Sequence, residues 1–172
     1  MMRSMVRGGA AGAAGTTVLD AVTYADMALR GRPSSQAPAQ TVDKLSQDLG
    51  HPVPGSGDVR AHRLSGLGAL SGIAVGCTMG AAVSLLHRAG VRMPWWLGGA
   101  ATGALAMAAT DLPMARLGVS DPARWSPQDR ASDAVPHLMY GLATYGTMTA
   151  LELGGSEPNA QGAALVPLRG LI

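Results

Sequence analysis

The chain has 172 residues, enough for one domain, with 47% apolar and only 14% charged residues and a formal charge of +2. Charged residues usually make up about a quarter of a soluble domain, so this depletion argues for lipid contact. It also argues against a nucleic-acid binder, because the 13 Lys and Arg lie scattered at segment ends and form no basic run. The single Cys77 excludes a disulfide framework within the chain and reads as a small buried hydrophobe. No Cys-x-x-Cys pair, phosphate loop or dinucleotide fingerprint is present.

The N-terminal stretch has basic residues, Arg3 and Arg7, ahead of an apolar run, as in a signal peptide. That run is largely Gly and Ala, a poor signal core, and the pattern continues past it. An uncleaved first span over about 8–29 is the better reading. Gly8, Gly12, Thr16, Asp20 and Tyr24 recur every four residues, which predicts a face shared by small and polar side chains. A carboxylate at mid-bilayer costs about 2.5–3.5 kcal/mol on insertion scales, so this span is expected to enter lipid as a hairpin with the next.

Arg30-Gly-Arg-Pro33 ends the first span, and a polar stretch follows to Arg63. Within it, Thr41 to Leu49 places Val42, Leu45 and Leu49 on one side, predicting a short amphipathic helix lying at the interface. The second span, about 64–86, carries no charge. Gly68, Gly72, Gly76 and Gly80 fall every four residues, and Ser84 continues the row. This is the pattern of a glycine zipper, a bare helix face that another backbone can approach closely. A tight connection with Arg88 and Arg92 leads to Pro94-Trp-Trp96, which opens a third span over about 94–111 at an interfacial aromatic belt. Gly99, Gly103, Met107 and Asp111 repeat the spacing, and Pro113 is expected to close the helix.

Ser126-Pro-Gln-Asp129 has the residues of a helix start and introduces a fourth span over about 131–151, with His137, Gly141, Tyr145 and Thr149 in its four-residue row. The remainder, 153–172, reads as a flexible tail whose apolar piece, Ala163 to Leu168, is too short to span. The ends of the first and third spans look alike (Ala25-Asp-Met-Ala-Leu-Arg against Thr110-Asp-Leu-Pro-Met-Ala-Arg), which suggests two hairpins in a parallel repeat. The long loops carry more basic residues than the other side, yet Arg3/Arg7 and Arg88/Arg92 are compact clusters, so the orientation stays open.

These expectations sum to an all-α membrane protein of four transmembrane helices packed through Gly/Ala-rich faces over residues 1–152, with a short interfacial helix in the first long loop. The packing glycines are Gly8, Gly12, Gly68, Gly72, Gly76, Gly80, Gly99, Gly103 and Gly141.

Antiparallel threading collects Tyr24, Asp26, Asp111, Asp133 and His137 at one end of such a bundle, with Asp20 deeper. Three readings compete. The acidic groups are interfacial and structural; or they form a polar funnel leading a proton or small cation to Asp20; or Asp111, Asp133 and His137 make a metal or catalytic site, for which one His and separated Asp are a thin donor set.

Several stretches, Gly12-Ala-Ala-Gly-Thr-Thr17 with Asp20, Thr23-Tyr-x-Asp-Met27, Arg30-Gly-Arg-Pro33 and Ala134-Val-Pro-His-x-x-Tyr-Gly141, resemble a group of uncharacterised small four-span integral membrane proteins of the high-GC actinobacterial type. The resemblance covers the chain to about Leu151. It implies the four-span architecture and brings no activity with it. The expected role is therefore a non-enzymatic structural or accessory component of the plasma membrane, multi-pass, using no metal or cofactor. Its partners would be the bilayer, copies of itself or other membrane proteins, and no nucleic acid. The alternative is a small transporter or channel subunit moving a proton or small cation past Asp20.

Overall fold

The computed structural model describes residues 1–154. Five α-helices follow one another: α1 (Met2–Arg30), α2 (Ala37–Asp48), α3 (Gly57–Arg88), α4 (Trp95–Arg116) and α5 (Pro127–Gly154), with a 3-10 turn at Pro122–Arg124. No strand occurs among the described residues. The tail expected over 153–172 falls almost wholly outside them.

α1 pairs with α3 and α4 with α5, and the two hairpins join through α1 and α5. A parallel repeat would require α3 to meet α4 as α1 meets α5. Instead α3 and α4 touch only sparsely, so the halves share a hairpin plan without a symmetric packing.

Bare backbone makes these pairings close. A Cβ added to Gly80 would sit 2.7 Å from the Gly12 Cα, and one on Gly12 would run into the Gly76 carbonyl. The α4–α5 pair repeats the device: a Cβ on Gly141 would lie 2.7 Å from the Gly103 Cα and would also meet the Gly99 carbonyl oxygen. Gly15 of α1 faces the Tyr140 ring and Thr144 of α5.

The four-residue rows do not stay on one neighbour, and the reason is geometric. Four residues advance a helix by about 400°, so each step drifts about 40°. On α3 the row turns from α2, where Gly68 faces Pro38 and Ala39, past Gly72, which has open space beside it, to α1 at Gly76 and Gly80. On α1 the same drift carries the row from buried Gly8 and Gly12 to half-buried Asp20 and to Tyr24, 61% exposed.

Helix ends also differ from the expected spans. α3 begins about two turns before Leu64, because the stretch holding Asp58, Arg60, His62 and Arg63 is helical despite its polar residues. At about 1.5 Å per residue, its 32 residues reach about 48 Å. α2 packs along the N-terminal part of α3, from Arg60 in this extension to Gly68. Arg60 clamps it there, with Nη1 donating to Asp43 Oδ2 at 3.0 Å, Nη2 donating to Oδ1, and Nε donating to the Val53 carbonyl oxygen at 3.2 Å. The Arg60 guanidinium holds the Asp43 carboxyl below the usual carboxylate range. α4 continues through Pro113 to Arg116. A proline removes one donor and crowds one carbonyl, which the last helical turn accommodates before Gly118 takes a φ of 69°. At the start of α5 the expected cap is formed: the Asp129 amide donates to Ser126 Oγ at 3.1 Å and the Ser126 amide donates to Asp129 Oδ2 at 3.1 Å.

By length and composition, one described helix is apolar enough to cross a membrane. α3 has a mean hydropathy of 1.8 over its most apolar window. α1, α4 and α5 fall short, because Gly, Thr and acidic residues dilute their apolar content.

Candidate functional site

The α4 and α5 ends bring three of the expected residues together. Asp111 projects from the last part of α4 and is only 8% exposed. Its carboxyl lies within hydrogen-bonding reach of Asp133 on α5 and in the field of His137. Asp133 and His137 are one helical turn apart, so they share a face. His137 Nδ1 sits 2.9 Å from the Asp133 carbonyl oxygen and 3.3 Å from Asp133 Oδ1. With its hydrogen on Nδ1, the imidazole donates to both.

Two oxygens here are sealed from solvent and accept no hydrogen bond: Asp111 Oδ1 and Asp133 Oδ2. A buried acceptor without a donor costs about 1–3 kcal/mol, more for a charged group, so this is an expensive arrangement of two carboxylates.

Asp26, also expected at this end, is engaged otherwise. Arg30 Nη2 and Arg32 Nε each donate to Asp26 Oδ2 at 2.6 Å, and Arg30 Nη2 also donates to Ser132 Oγ at 2.5 Å. That ties the end of α1 to the start of α5. Asp20 and Tyr24 are not drawn into the group. Tyr24 points outward, and Asp20 makes no hydrogen bond or ion pair among the described residues. The described residues hold no set of three His, Cys, Asp or Glu placed to hold a metal ion.

The remaining interior mixes a small apolar cluster, Ala11, Val83 and Met148, with hydrogen-bonded hydroxyls. Tyr140, 1% exposed, donates to the Gly76 carbonyl oxygen at 2.7 Å. Ser84 Oγ donates to the Ser4 carbonyl oxygen at 2.9 Å, and Tyr145 Oη accepts from the Met93 amide at 3.1 Å, pinning the α3–α4 connection.

Sequence reasoning missed one pair at the opposite end. His87 Nδ1 lies 2.8 Å from Glu152 Oε2, and the His87 ring meets the Tyr145 ring edge-on at 5.9 Å between centroids. His87 reads as part of a loop and Glu152 as the end of a span, so only the depth match of two antiparallel helices could have joined them.

A shallow cleft of about 450 Å³ lies between the 51–54 segment and α3, lined by His51, Val53, His62, Arg63, Leu67 and Leu70. No buried polar group converges on it.

No family model matches the chain, and no curated protein or solved structure matches it.

Proposed function

We propose that the chain is a multi-pass integral membrane protein with a non-enzymatic, structural or accessory role, its α1, α3, α4 and α5 crossing the bilayer as two antiparallel hairpins. One observation carries this reading: the distribution of side chains is the inverse of a water-soluble bundle. Much of the interior is glycine backbone, Thr16, Ser84, Thr102, Thr144 and hydrogen-bonded tyrosines, beside a small apolar cluster of Ala11, Val83 and Met148. Far more large apolar side chains are exposed than buried. Leu70 is 62% exposed and Ile73 47%, and Leu67, Leu105, Leu112 and Leu138 are exposed as well. Only 22% of the most apolar window of α3 is buried, whereas the core helix of a soluble protein buries most of its apolar length. Water would penalise this surface, and lipid would not.

Length fits the same frame. The hydrocarbon layer is about 30 Å thick, so α3 outreaches it and its polar first turns project to carry α2 at the head-group level. Weakly apolar helices such as α1 gain entry by burying their polar atoms against partners.

Threading makes a direct prediction. With Cys77 replaced by Ala, single cysteines at Ser46 and Arg92 should react with a membrane-impermeant maleimide from opposite sides of sealed vesicles. Labelling of both from one side would overturn the four-span arrangement.

The reading of Asp20 as a conduit residue finds less support. Its row drifts away from the bundle centre, and the neighbouring Tyr24 is exposed.

A further inference from the structure

Two orphaned oxygens, from two carboxyls in mutual reach, point to one absent hydrogen. Asp111 Oδ1 and Asp133 Oδ2 are both buried and both lack a donor. They belong to side chains that approach one another across the α4–α5 contact. Two ionised carboxylates so placed repel each other and leave two acceptors unanswered. A single proton on one of them converts the repulsion into an O–H···O⁻ hydrogen bond and satisfies both oxygens at once.

We propose that Asp111 and Asp133 form a proton-binding site that holds one proton between them, with His137 as the positioning group on the opposite oxygen of Asp133. The charged groups facing the pair are few. His137 is the only other one acting on Asp111 from α5. At this end of α1, Asp26 is neutralised by Arg30 and Arg32, and Arg30 is spent further on Ser132. A divalent cation would need a third ligand of suitable placement, which the described residues lack; a proton needs only the two oxygens. The site is separate from Asp20, and the proposal does not depend on whether the bundle lies in lipid.

Infrared spectroscopy of the purified full chain, in detergent or in buffer, tests it. At neutral pH the folded protein should show one protonated-carboxyl C=O stretch that shifts on exchange into deuterium oxide. The band should persist in Asp20→Asn and vanish in Asp111→Asn and in Asp133→Asn, each of which should retain its helical circular dichroism because the amide supplies the missing hydrogen. His137→Gln should keep the band and alter its frequency. The absence of any such band from the folded unsubstituted protein would overturn the proposal without recourse to a variant. Survival of the band in both Asn variants would do so too, as would its loss on adding sodium at constant pH, which would assign the site to a cation.

Discussion

Gly141→Leu is expected to separate α4 from α5 and to cost the bundle at least about 3 kcal/mol, the upper part of the range for overpacked cores. The reason lies in what the new side chain would strike. A Cβ at 141 meets the Gly99 carbonyl and the Gly103 amide and Cα, all of them backbone. A flexible side chain can rotate away from such a clash, but a packed helix backbone must move as a whole. The control is Gly72→Ala on α3, where nothing lies within 4 Å of the added carbon. That change should be neutral or gain up to about 1 kcal/mol from helix propensity. Thermal unfolding in mild detergent, followed by circular dichroism, distinguishes the two: a lost or strongly lowered transition for Gly141→Leu and an unchanged one for Gly72→Ala. Equal behaviour of the two variants would mean that close backbone approach does not hold the bundle.

Ile73→Arg is the second large effect, and its size depends on the solvent. Ile73 lies near the middle of α3 and is half exposed. On the surface of a soluble protein such a change falls within about 0.5 kcal/mol of neutral. At the centre of a lipid-facing helix an arginine costs about 2.5–3.5 kcal/mol on insertion scales. α3 is the one described helix long and apolar enough to cross a membrane, and α1 packs against it. Its failure to insert should therefore reduce the membrane-integrated fraction of the whole chain by about an order of magnitude or more. An unchanged integrated fraction would indicate that this face does not meet lipid.

Much of this architecture was legible from residues. Of the nine glycines in the four-residue rows, all but Gly72 stand where an added Cβ would press on a neighbouring helix, and Ser126 with Asp129 marked the start of α5. Up-and-down threading was enough to bring Asp111, Asp133 and His137 to one end. What escaped the sequence has physical causes. A four-residue row drifts, so Gly72 and Tyr24 share a pattern with packed residues without sharing their neighbours. Helix formation does not require apolarity, so the polar first turns of α3, and with them the docking site for α2, left no hydropathy signal. Proline weakens a helix without ending it, hence Arg116 as the last residue of α4. The pairing of His87 with Glu152 depends on relative helix depth, which no local pattern encodes. The orphaned state of two carboxylate oxygens likewise appears only once neighbours are placed in three dimensions.

Whether the chain is integrated in lipid is decided by alkaline extraction of membranes that contain it. The 17.4 kDa protein should stay in the pellet through carbonate washing and be released only by detergent. Recovery of a folded, monodisperse particle from detergent-free buffer would contradict that integration.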